Sequence, residues 1–574
     1  MWRVSGIPTP LSGALHTVAS QHMTTLHNAS GRHILCCQPA QVKYPLFAAH
    51  FCAPNCALCF QIACALRVFA IRTRSLLQRR TPSFDTEQCA MDFCFPARDD
   101  RTNVHTITTN ESARRVAPVM TGFDARDGGD DGYNIYLGNG DGGWSWAGPQ
   151  RSTLVLGPSR SGKTSSLVIP NILLAKGPVV STSTKPDVMT ATAPARTREG
   201  WTFLFDPSGE IECPAHVQRV GWSPLTTADR WDTAVQTSNA MVSAARSGGV
   251  GIARSPGEQH WTERASALLS PLLHAAAIES LPMRTVVRWI DRHDGATPLQ
   301  ILSRTVGDDA TATDLLAGIV GTDAREQSGI WSTASGVLAA YRSESALEST
   351  ELPPLDTAEF CRGTNTMYIC SAGRRQDQFA PLVVAALGDV RDATYEREWS
   401  GERLPPTLLA LDEVANIAPI PDLPALLSEG AGQGLLVMAC LQDLSQARGR
   451  WGSAADGFLT LFGTTVVFPG IADVGTLRDL SALAGDHEIA TTTVGHAVGE
   501  RGRRRPSSSV STVRVPRLPV DVISRGTPGS ALVLGPDRSF GSVTLTPAHI
   551  SSPWRELTAA GRAHLDRAPA RRSR

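Results

Sequence analysis

The sequence predicts an α/β protein with a mostly parallel, doubly wound sheet and an all-α domain inserted into it. Before and after residues 229–349, short apolar, β-rich runs alternate with helical segments. This alternation indicates a parallel sheet covered by helices on both faces. Across residues 229–349 the strand patterns give way to helical ones, which predicts the inserted domain. Polar motifs directly follow two of the buried runs, and ligands bind where the strands of such a sheet end.

The first of these motifs follows the apolar run Thr153–Leu156. Residues 157–164 read Gly-Pro-Ser-Arg-Ser-Gly-Lys-Thr and match the pattern G-x-x-x-x-G-K-S/T at every fixed position. Glycines in such a loop let successive backbone N–H groups point at phosphate oxygens, and the next helix presents its positive N-terminal end. We therefore predict a nucleotide-binding loop formed by Gly157, Pro158, Ser159, Arg160, Ser161, Gly162, Lys163, Thr164 and Ser165.

Two side chains of this loop have predicted chemical roles. Lys163 places a positive charge at the β- and γ-phosphates, and Thr164 offers a hydroxyl to Mg²⁺. Only four lysines occur in a chain whose other cationic residues are arginines, so a lysine occupies the one position at which the loop requires it. The predicted ligands are accordingly ATP and Mg²⁺.

The second motif is the pair Asp412-Glu413, which ends the apolar run Thr407–Leu411. Beside a phosphate loop, Asp412 is expected to hold Mg²⁺ directly or through water. Glu413 is expected to orient and deprotonate the water that attacks the γ-phosphate. The alternative is a solvated acidic turn after a strand, and the loop upstream favours catalysis.

A third polar residue follows the buried run Leu435–Leu441. Gln442 is expected to sense the γ-phosphate, and a capping amide is the alternative interpretation. The predicted catalytic residues are therefore Glu413, Lys163 and Gln442, and the predicted metal ligands are Thr164 and Asp412. Lys185 also follows a predicted strand, and there a solvated lysine and a contact to phosphate or DNA remain equal alternatives.

Charge and cysteine content limit the functions that the chain can have. Acidic and basic side chains balance at 54 each, which excludes a uniformly basic nucleic-acid coat, so any DNA contact must be local. Eight of the twelve cysteines fall in the first hundred residues. The other four, Cys213, Cys361, Cys370 and Cys440, occur singly in apolar runs and are expected to be small buried residues of a reducing compartment.

Three interpretations of residues 1–119 remain open. Residues 44–66 carry no formal charge and precede several arginines, which suits one membrane-spanning helix, although two prolines and other polar residues within it oppose insertion. The spacing of Cys52, Cys56, Cys59 and Cys64 permits a zinc site. The third interpretation is that the native chain begins at Met91 or Met120.

We predict six segments. They are the Cys-rich N-terminal region 1–119, a Gly/Asp-rich linker 120–150, the first part of the nucleotide-binding domain 151–227, the all-α insertion 228–350, the second part of the nucleotide-binding domain 351–558, and an arginine-rich disordered tail 559–574. The tryptophans of the insertion are expected to pack in its core and not to stack on DNA. A charged hairpin tip near residues 500–509 is expected to be a solvated turn, with a nucleic-acid contact as the alternative.

Six separated motifs, in order, resemble one family. They are residues 156–164, the run ending at Asp187, Phe-Asp-Pro at 205–207, residues 411–417, residues 441–442 with 446–452, and Leu-Ser-Ala-Leu-Ala-Gly at 480–485. Together they resemble the TraG/TraD type of conjugative coupling protein in its actinobacterial form, a P-loop ATPase of the FtsK/HerA-like superfamily. The resemblance covers about residues 150–550 and includes the helical insertion.

This resemblance implies a hexameric, RecA-like ring ATPase at the cytoplasmic mouth of a type IV secretion channel. Such rings recruit the relaxase and its relaxosome proteins and drive single-stranded DNA outward, so the implied location is the cytoplasmic face of the plasma membrane, with a cytoplasmic location as the alternative. Coupling proteins usually begin with clear transmembrane helices, which residues 1–119 lack. Relatives also tend to place an arginine that serves the neighbouring subunit just before the strand corresponding to residues 463–468. This chain has no arginine between Arg450 and Arg478. Arg448, Arg450 or Arg478 would have to supply it.

Two further functions remain as alternatives. One is a chromosomal DNA-pumping ATPase of the FtsK/HerA kind, which would be distinguished by the absence of relaxase and channel genes nearby. The other is an adaptor that binds nucleotide, turns it over slowly and presents its helical domain to a partner protein. A Glu413→Gln variant with an unchanged ATPase rate would favour the adaptor.

Overall fold

A computed structural model describes residues 134–247, 256–304, 310–371, 376–498 and 504–567. The candidate membrane span, the candidate zinc site, the alternative start positions and part of the charged hairpin tip lie outside these residues. None of the described helices combines the length and the apolar character that crossing a bilayer requires.

A mixed twelve-stranded sheet forms the centre of the described chain, and its spatial order is β2-β1-β14-β13-β10-β3-β9-β8-β4-β7-β5-β6. Eight strands, from β10 to β6 in that order, run parallel, and the four at the other edge pair antiparallel. The strands are β1 (Tyr136–Gly140), β2 (Gly143–Trp146), β3 (Thr153–Leu156), β4 (Val179–Ser183), β5 (Thr202–Phe205), β6 (Gln218–Arg219), β7 (Thr366–Cys370), β8 (Thr407–Leu411), β9 (Leu435–Leu441), β10 (Thr464–Val467), β13 (Ser530–Leu534) and β14 (Phe540–Thr544). The predicted α/β class is confirmed.

A separate two-stranded ribbon extends the chain after β10. It consists of β11 (Asp486–Val498) and β12 (Arg504–Pro516), with Ile489 paired to Val513. The sequence predicts a shorter strand, residues 488–494. The ribbon is longer because the pairing with β12 continues on both sides of that run, from Asp486 opposite Pro516 to Val498 opposite Arg504.

Helices cover the parallel part of the sheet. They are α1 (Ile169–Leu174), α2 (Asp187–Arg196), α3 (Trp231–Ser247), α4 (Pro256–Ile278), α5 (Met283–Arg292), α6 (Ala296–Arg304), α7 (Ala310–Val320), α8 (Ala324–Val337), α9 (Glu344–Ser349), α10 (Thr357–Arg362), α11 (Gln376–Trp399), α12 (Val414–Ile417), α13 (Leu423–Glu429), α14 (Leu444–Trp451), α15 (Phe458–Leu461), α16 (Val474–Ala484), α17 (Val520–Arg525) and α18 (Trp554–Arg567). A π-helical turn, Thr164–Val168, precedes α1, and three 3₁₀ turns follow at Leu338–Arg342, Gly430–Gln433 and Gly452–Gly457.

Between β6 and β7 the described residues form helices and no sheet strand, and the first seven of these helices, α3 to α9, make up the inserted region. Trp289 and Trp331 are buried there, and the ring of His293 stacks on Trp331 at 5.3 Å. Trp231 and Trp261 are partly buried against the same core. All four tryptophans therefore pack within the protein, as a core role requires.

Two apolar cores lie on the two faces of the sheet. Along β3, Leu154 and Leu156 belong to one core and Val155 to the other, which is the alternation that a pleated strand imposes. The core of Leu154 continues into the inserted helices. The opposite core includes Ile169 of α1, Val188 of α2 and Trp554 of α18.

Two predicted segments are corrected. The predicted linker 120–150 contains β1 and β2, because its glycines form the turn of a hairpin whose residues Tyr136 and Leu137 are buried. The predicted disordered tail from residue 559 is helical as far as Arg567, because α18 packs against α2: Thr558 Oγ1 donates to Ala191 O at 3.2 Å. In both places local composition is outweighed by contacts to distant parts of the chain.

Candidate nucleotide-binding site

The phosphate loop lies at the carboxyl end of β3, between β10 and β9. Neighbouring strands hold both sides of the loop's start: Gly157 N–H donates to Leu441 O at 3.1 Å, and Phe468 N–H donates to Leu156 O at 2.8 Å. The chain then enters the π-helical turn, where Ser166 N–H donates to Gly162 O at 2.9 Å. The loop is therefore fixed at the N-terminal end of a helix, where backbone N–H groups are free for an anion.

The loop needs its glycines for two different reasons. A Cβ on Gly157 would lie 2.7 Å from Cβ of Phe468, so any side chain there would displace the neighbouring strand end. Gly162 has a φ of +97°, a conformation that side chains disfavour. Arg160 also has a positive φ, +64°, and is exposed at the top of the loop. Such backbone strain in a non-glycine residue is typical of ligand-binding turns.

The helix start and the acidic strand end meet across β9, which separates β3 from β8 in the sheet. Thr164 Oγ1 donates to Asp412 Oδ2 at 2.7 Å, although 248 residues separate the two in sequence. From the other side, Thr182 Oγ1 donates to Asp412 O at 3.2 Å. A hydroxyl and a carboxylate are thus held together at the bottom of the site.

The environment of Asp412 is poorly solvated, and only 8% of its surface is exposed. Burial raises the pKa of Asp412, while the hydrogen bond from Thr164 and the positive charge of Lys163 act against that rise. Burial also raises the pKa of the neighbouring Cys440 thiol well above its usual range, and the charge of Asp412 raises it further. Cys440 is therefore an unreactive thiol, in line with its predicted role as a buried apolar residue.

Glu413 occupies an unusual backbone position directly after Asp412. Its φ of +53° lies in the left-handed region, and its carbonyl accepts hydrogen bonds from Asn416 N–H at 2.9 Å and Ile417 N–H at 3.1 Å. This turn starts the short helix α12 and directs the chain away from the strand. A left-handed residue other than glycine costs about 1–2 kcal/mol, which the surrounding fold must supply.

Lys163 bends back over the loop that contains it. Its Nζ donates to Pro158 O at 2.9 Å and to Gly157 O. These carbonyls hold the ammonium group above the loop, close to the backbone N–H groups that are expected to bind phosphate. The lysine is thus positioned by its own loop.

These groups line a pocket of about 760 Å³, within the size range of small-molecule and cofactor sites. Seven consecutive residues of the predicted loop line it, together with Asp412, Glu413 and Gln442. The full lining set is Ser159, Arg160, Ser161, Gly162, Lys163, Thr164, Ser165, Ile169, Ser183, Thr184, Lys185, Asp187, Ala191, Asp412, Glu413, Cys440, Leu441, Gln442, Gln446 and His549. Gly157 and Pro158 shape the loop and do not line the pocket.

Gln442 is exposed on the pocket wall, and its backbone N–H donates to Gln446 Oε1 at 3.0 Å. This bond ties the backbone of Gln442 to the first turn of α14, and the sensor role of the side chain stays a prediction. Lys185 and Asp187, which the sequence places after a strand, also reach the pocket.

Several lining residues were not predicted: Ile169, Ala191, Cys440, Gln446 and His549. Gln446 lies four residues after Gln442, so a helical spacing could have indicated it. His549 has no signal in the sequence, because it lies far from every motif and reaches the site through the packing of the C-terminal segment.

The residues present suit Mg²⁺. Mg²⁺ prefers hard oxygen donors and is usually held by one or two protein groups together with phosphates. The Thr164 hydroxyl and the Asp412 carboxylate, 2.7 Å apart, are such donors. Elsewhere in the described residues, no group of three or more His, Cys, Asp or Glu side chains could hold a metal.

The three arginines considered for a neighbouring subunit differ in their contacts. Arg448 pairs with Asp456 at 3.3 Å and with Asp479, and Arg450 donates to Ala415 O at 2.7 Å and pairs with Asp377. Arg478 is exposed on α16, and within the described ranges no hydrogen bond or ion pair engages it. Only Arg478 is therefore available without breaking a contact inside the chain.

A phosphate loop after one strand, and an Asp-Glu pair after a second strand two positions away in a parallel sheet, define a RecA-like P-loop nucleotide-binding fold. Solved structures of the bacterial conjugative coupling protein TrwB share this fold. The unbound form, TrwBdeltaN70, has a TM-score of 0.50 and 18% identity, covering 69% of this chain and 84% of that one. TrwB with the GTP analogue GDPNP has a TM-score of 0.50 and 20% identity over 69% and 86%. TrwB with ADP and Mg²⁺ has a TM-score of 0.50 and 19% identity over 69% and 85%.

A family model described as the TraM recognition site of TraD and TraG matches residues 406–526, which include Asp412, Glu413, Gln442 and the β11–β12 ribbon. The predicted resemblance to the TraG/TraD type of coupling protein is thereby confirmed by sequence for residues 406–526. The solved structures confirm the fold. A search of curated proteins finds no match.

Proposed function

We propose that this chain is an ATP-hydrolysing coupling protein that links relaxase-bound DNA to a type IV secretion channel and drives single-stranded DNA through it. The observation that carries the proposal is the contact between Thr164 and Asp412, because it joins the phosphate loop to the acidic strand end in one pocket. Binding alone requires only the loop, whereas hydrolysis requires both parts.

Each side chain has a defined part in this reaction. The loop N–H groups and Lys163 hold the β- and γ-phosphates, and Glu413 accepts a proton from the attacking water. Thr164 and Asp412 would hold Mg²⁺, which would supply positive charge to offset the charge developing on the phosphate oxygens. Gln442 orients the γ-phosphate or the water and couples its presence to α14.

The partners follow from the family resemblance. Residues 406–526 match a TraM recognition site, so we propose that this part of the chain contacts a relaxosome protein. We further propose a homohexameric ring at the cytoplasmic face of the plasma membrane, which contacts the channel proteins. DNA contacts in such a ring are weakened by salt and largely independent of base sequence.

The test is the Mg²⁺-dependent ATPase rate of the full chain, with and without single-stranded DNA. Lys163→Ala should abolish nucleotide binding. Glu413→Gln should lower kcat by about 10²–10⁴-fold, the usual contribution of a general base, and leave ATP binding intact. Glu429→Gln, a change at an exposed glutamate outside the pocket, is the matched control.

A DNA-stimulated rate that both substitutions abolish supports the translocating motor. ATP binding without turnover under any DNA condition contradicts the motor and favours the nucleotide-binding adaptor. Equal turnover of wild type and Glu413→Gln contradicts the role given to Glu413.

A further inference from the structure

Some residues that line the pocket have no proposed part in binding phosphate or in hydrolysis. Ile169, Ala191 and His549 line it, and the proposed reaction gives none of them a role. They belong to α1, to α2 and to the segment between β14 and α18. This inference rests on the proposed nucleotide site and concerns what the remainder of that site binds.

These three residues lie beside the same core of the sheet, because Ala191 packs against the core that includes Ile169 and Ala548, and His549 follows Ala548. Ile169 belongs to the apolar core that also holds Val188 and Trp554. Val414 and Leu444, which follow Glu413 and precede Gln446, belong to the core on the opposite face. The pocket therefore has lining residues beside both cores, and we call the part formed by Ile169, Ala191 and His549 its second end.

A hydrogen bond to the π-helical turn Thr164–Val168 holds the segment that carries His549. Ala548 N–H donates to Ser165 O at 2.8 Å, and Ile550 N–H donates to Pro547 O at 3.1 Å, which closes a turn around His549. Ala548 is buried, whereas His549 is exposed at the pocket. Within the described residues no hydrogen bond or ring contact engages the imidazole.

The outer parts of this wall are also fixed. Thr558 of α18 donates to Ala191 O, and Trp554 stacks on Trp144 of β2 with ring centroids 5.2 Å apart. The second end of the pocket thus combines two aliphatic side chains on packed helices with one aromatic ring on an anchored turn. An aliphatic surface with an aromatic ring suits a flat heteroaromatic ring, which makes stacking and dispersion contacts.

We propose that Ile169, Ala191 and His549 form the nucleobase subsite of this pocket, with the imidazole of His549 stacked on the base. Recognition there is by ring surface and not by hydrogen bonds to the base edge. Purine nucleotides, with two fused rings, therefore bind more tightly than pyrimidine nucleotides, and adenine and guanine nucleotides bind about equally.

The experiment measures dissociation constants by calorimetry on the full chain, for ATP, GTP and CTP and for inorganic tripolyphosphate, with Mg²⁺. His549→Ala should weaken ATP binding about 5- to 30-fold, since stacking on a base contributes about 1–2 kcal/mol. Tripolyphosphate binding should stay within about twofold, and His549→Phe should restore ATP affinity. His564→Ala, a change at an exposed histidine of α18 outside the pocket, is the control.

The outcomes separate this inference from the proposed function. If wild type binds ATP, Lys163→Ala abolishes that binding and His549→Ala does not weaken it, the nucleobase subsite is wrong and the nucleotide site stands. Equal losses for ATP and tripolyphosphate in His549→Ala also contradict a base contact. If wild type binds neither ATP nor tripolyphosphate, the nucleotide site itself is wrong.

Discussion

Glu413 combines an unfavourable backbone conformation with a proposed catalytic role. Its left-handed backbone, with a φ of +53°, lies at the point where β8 ends and α12 begins. A glycine or asparagine would adopt this conformation at lower cost, so stability alone would not select glutamate there. A strained acidic residue beside Asp412, a proposed metal ligand, fits the proposal that Glu413 is the general base.

Asp389 lies in an environment that disfavours its negative charge. It is half-buried on α11 and accepts a hydrogen bond from Trp222 Nε1 at 2.8 Å. Burial raises the pKa of Asp389 to about 6. The negative charge of Asp392 adds to this rise, whereas the hydrogen bond from Trp222 and the positive charge of Arg391 reduce it. The native state therefore holds this proton more tightly than the unfolded state, and the wild type loses stability as the pH rises from about 4 to about 6.

We expect Asp389→Asn to stabilise the protein at neutral pH. The amide removes the buried charge and keeps an acceptor for Trp222, so the free energy of unfolding should rise by roughly 2 kcal/mol at pH 7. The gain should shrink as the pH falls towards 4, where the wild-type carboxyl is already protonated. Urea denaturation at several pH values measures it, and a gain that does not vary with pH would contradict the explanation.

At the scale of elements, α18 packs against α2, the helix that contributes Ala191 to the lining of the pocket. Gly561 of α18 faces the backbone of α2 so closely that a Cβ would lie 2.4 Å from C of Pro194. The glycine is therefore required by packing, although it lowers helix propensity. Gly388 of α11 is the opposite case, since a Cβ there would meet nothing within 4 Å.

These two glycines give a matched pair of substitutions. Gly561→Ala should destabilise the protein by about 1–3 kcal/mol, because the backbones of the two helices must separate. Gly388→Ala should stabilise it by up to about 1 kcal/mol through helix propensity alone. Thermal unfolding of the two variants measures both effects, and changes of the same sign would show that the α18–α2 contact is looser than described.

The β11–β12 ribbon is an element without a core of its own. Ile489, Val510 and Val513 are exposed on it, although β-branched residues usually pack on one face of a sheet. A two-stranded ribbon of this kind has little stability in water when nothing covers it. Its residues up to Pro516 lie within the segment that matches the TraM recognition site.

At the scale of the whole molecule, the proposed ring makes a prediction about Arg478. Arg448 and Arg450 are held by carboxylates and a carbonyl of their own chain, whereas Arg478 is exposed. If subunits form a ring, Arg478 is the one of these three arginines that could contact a neighbour's nucleotide without losing a contact to the described residues of its own chain. A charge supplied in this way typically raises kcat by about 10³–10⁵-fold.

We therefore expect Arg478→Ala to lower kcat strongly while ATP binding is kept. A mixture of Lys163→Ala and Arg478→Ala subunits should regain activity, because an intact loop from one subunit can meet an intact arginine from the next. The ATPase rate of the mixture, compared with each variant alone, measures this. Arg525→Ala, at another exposed arginine, is the control; a mixture no more active than its components would exclude Arg478 from this role.

The α/β class, the phosphate loop and the acidic strand end could be predicted from the sequence, because each depends on local chemistry. A loop that cradles phosphate needs Gly157, Gly162 and Lys163 at fixed spacing, and a buried parallel strand needs a continuous apolar run. Such requirements act over a few residues and therefore leave a readable pattern.

Only the tertiary structure decided which distant groups meet. It placed β9 between β3 and β8, brought Thr164 to Asp412, made the supposed linker a sheet edge, and carried His549 to the phosphate-loop helix. These results depend on strand order and on packing between segments hundreds of residues apart. A single sequence records the residues that can make such contacts, but strand pairing and the burial of apolar surface select the contacts that form.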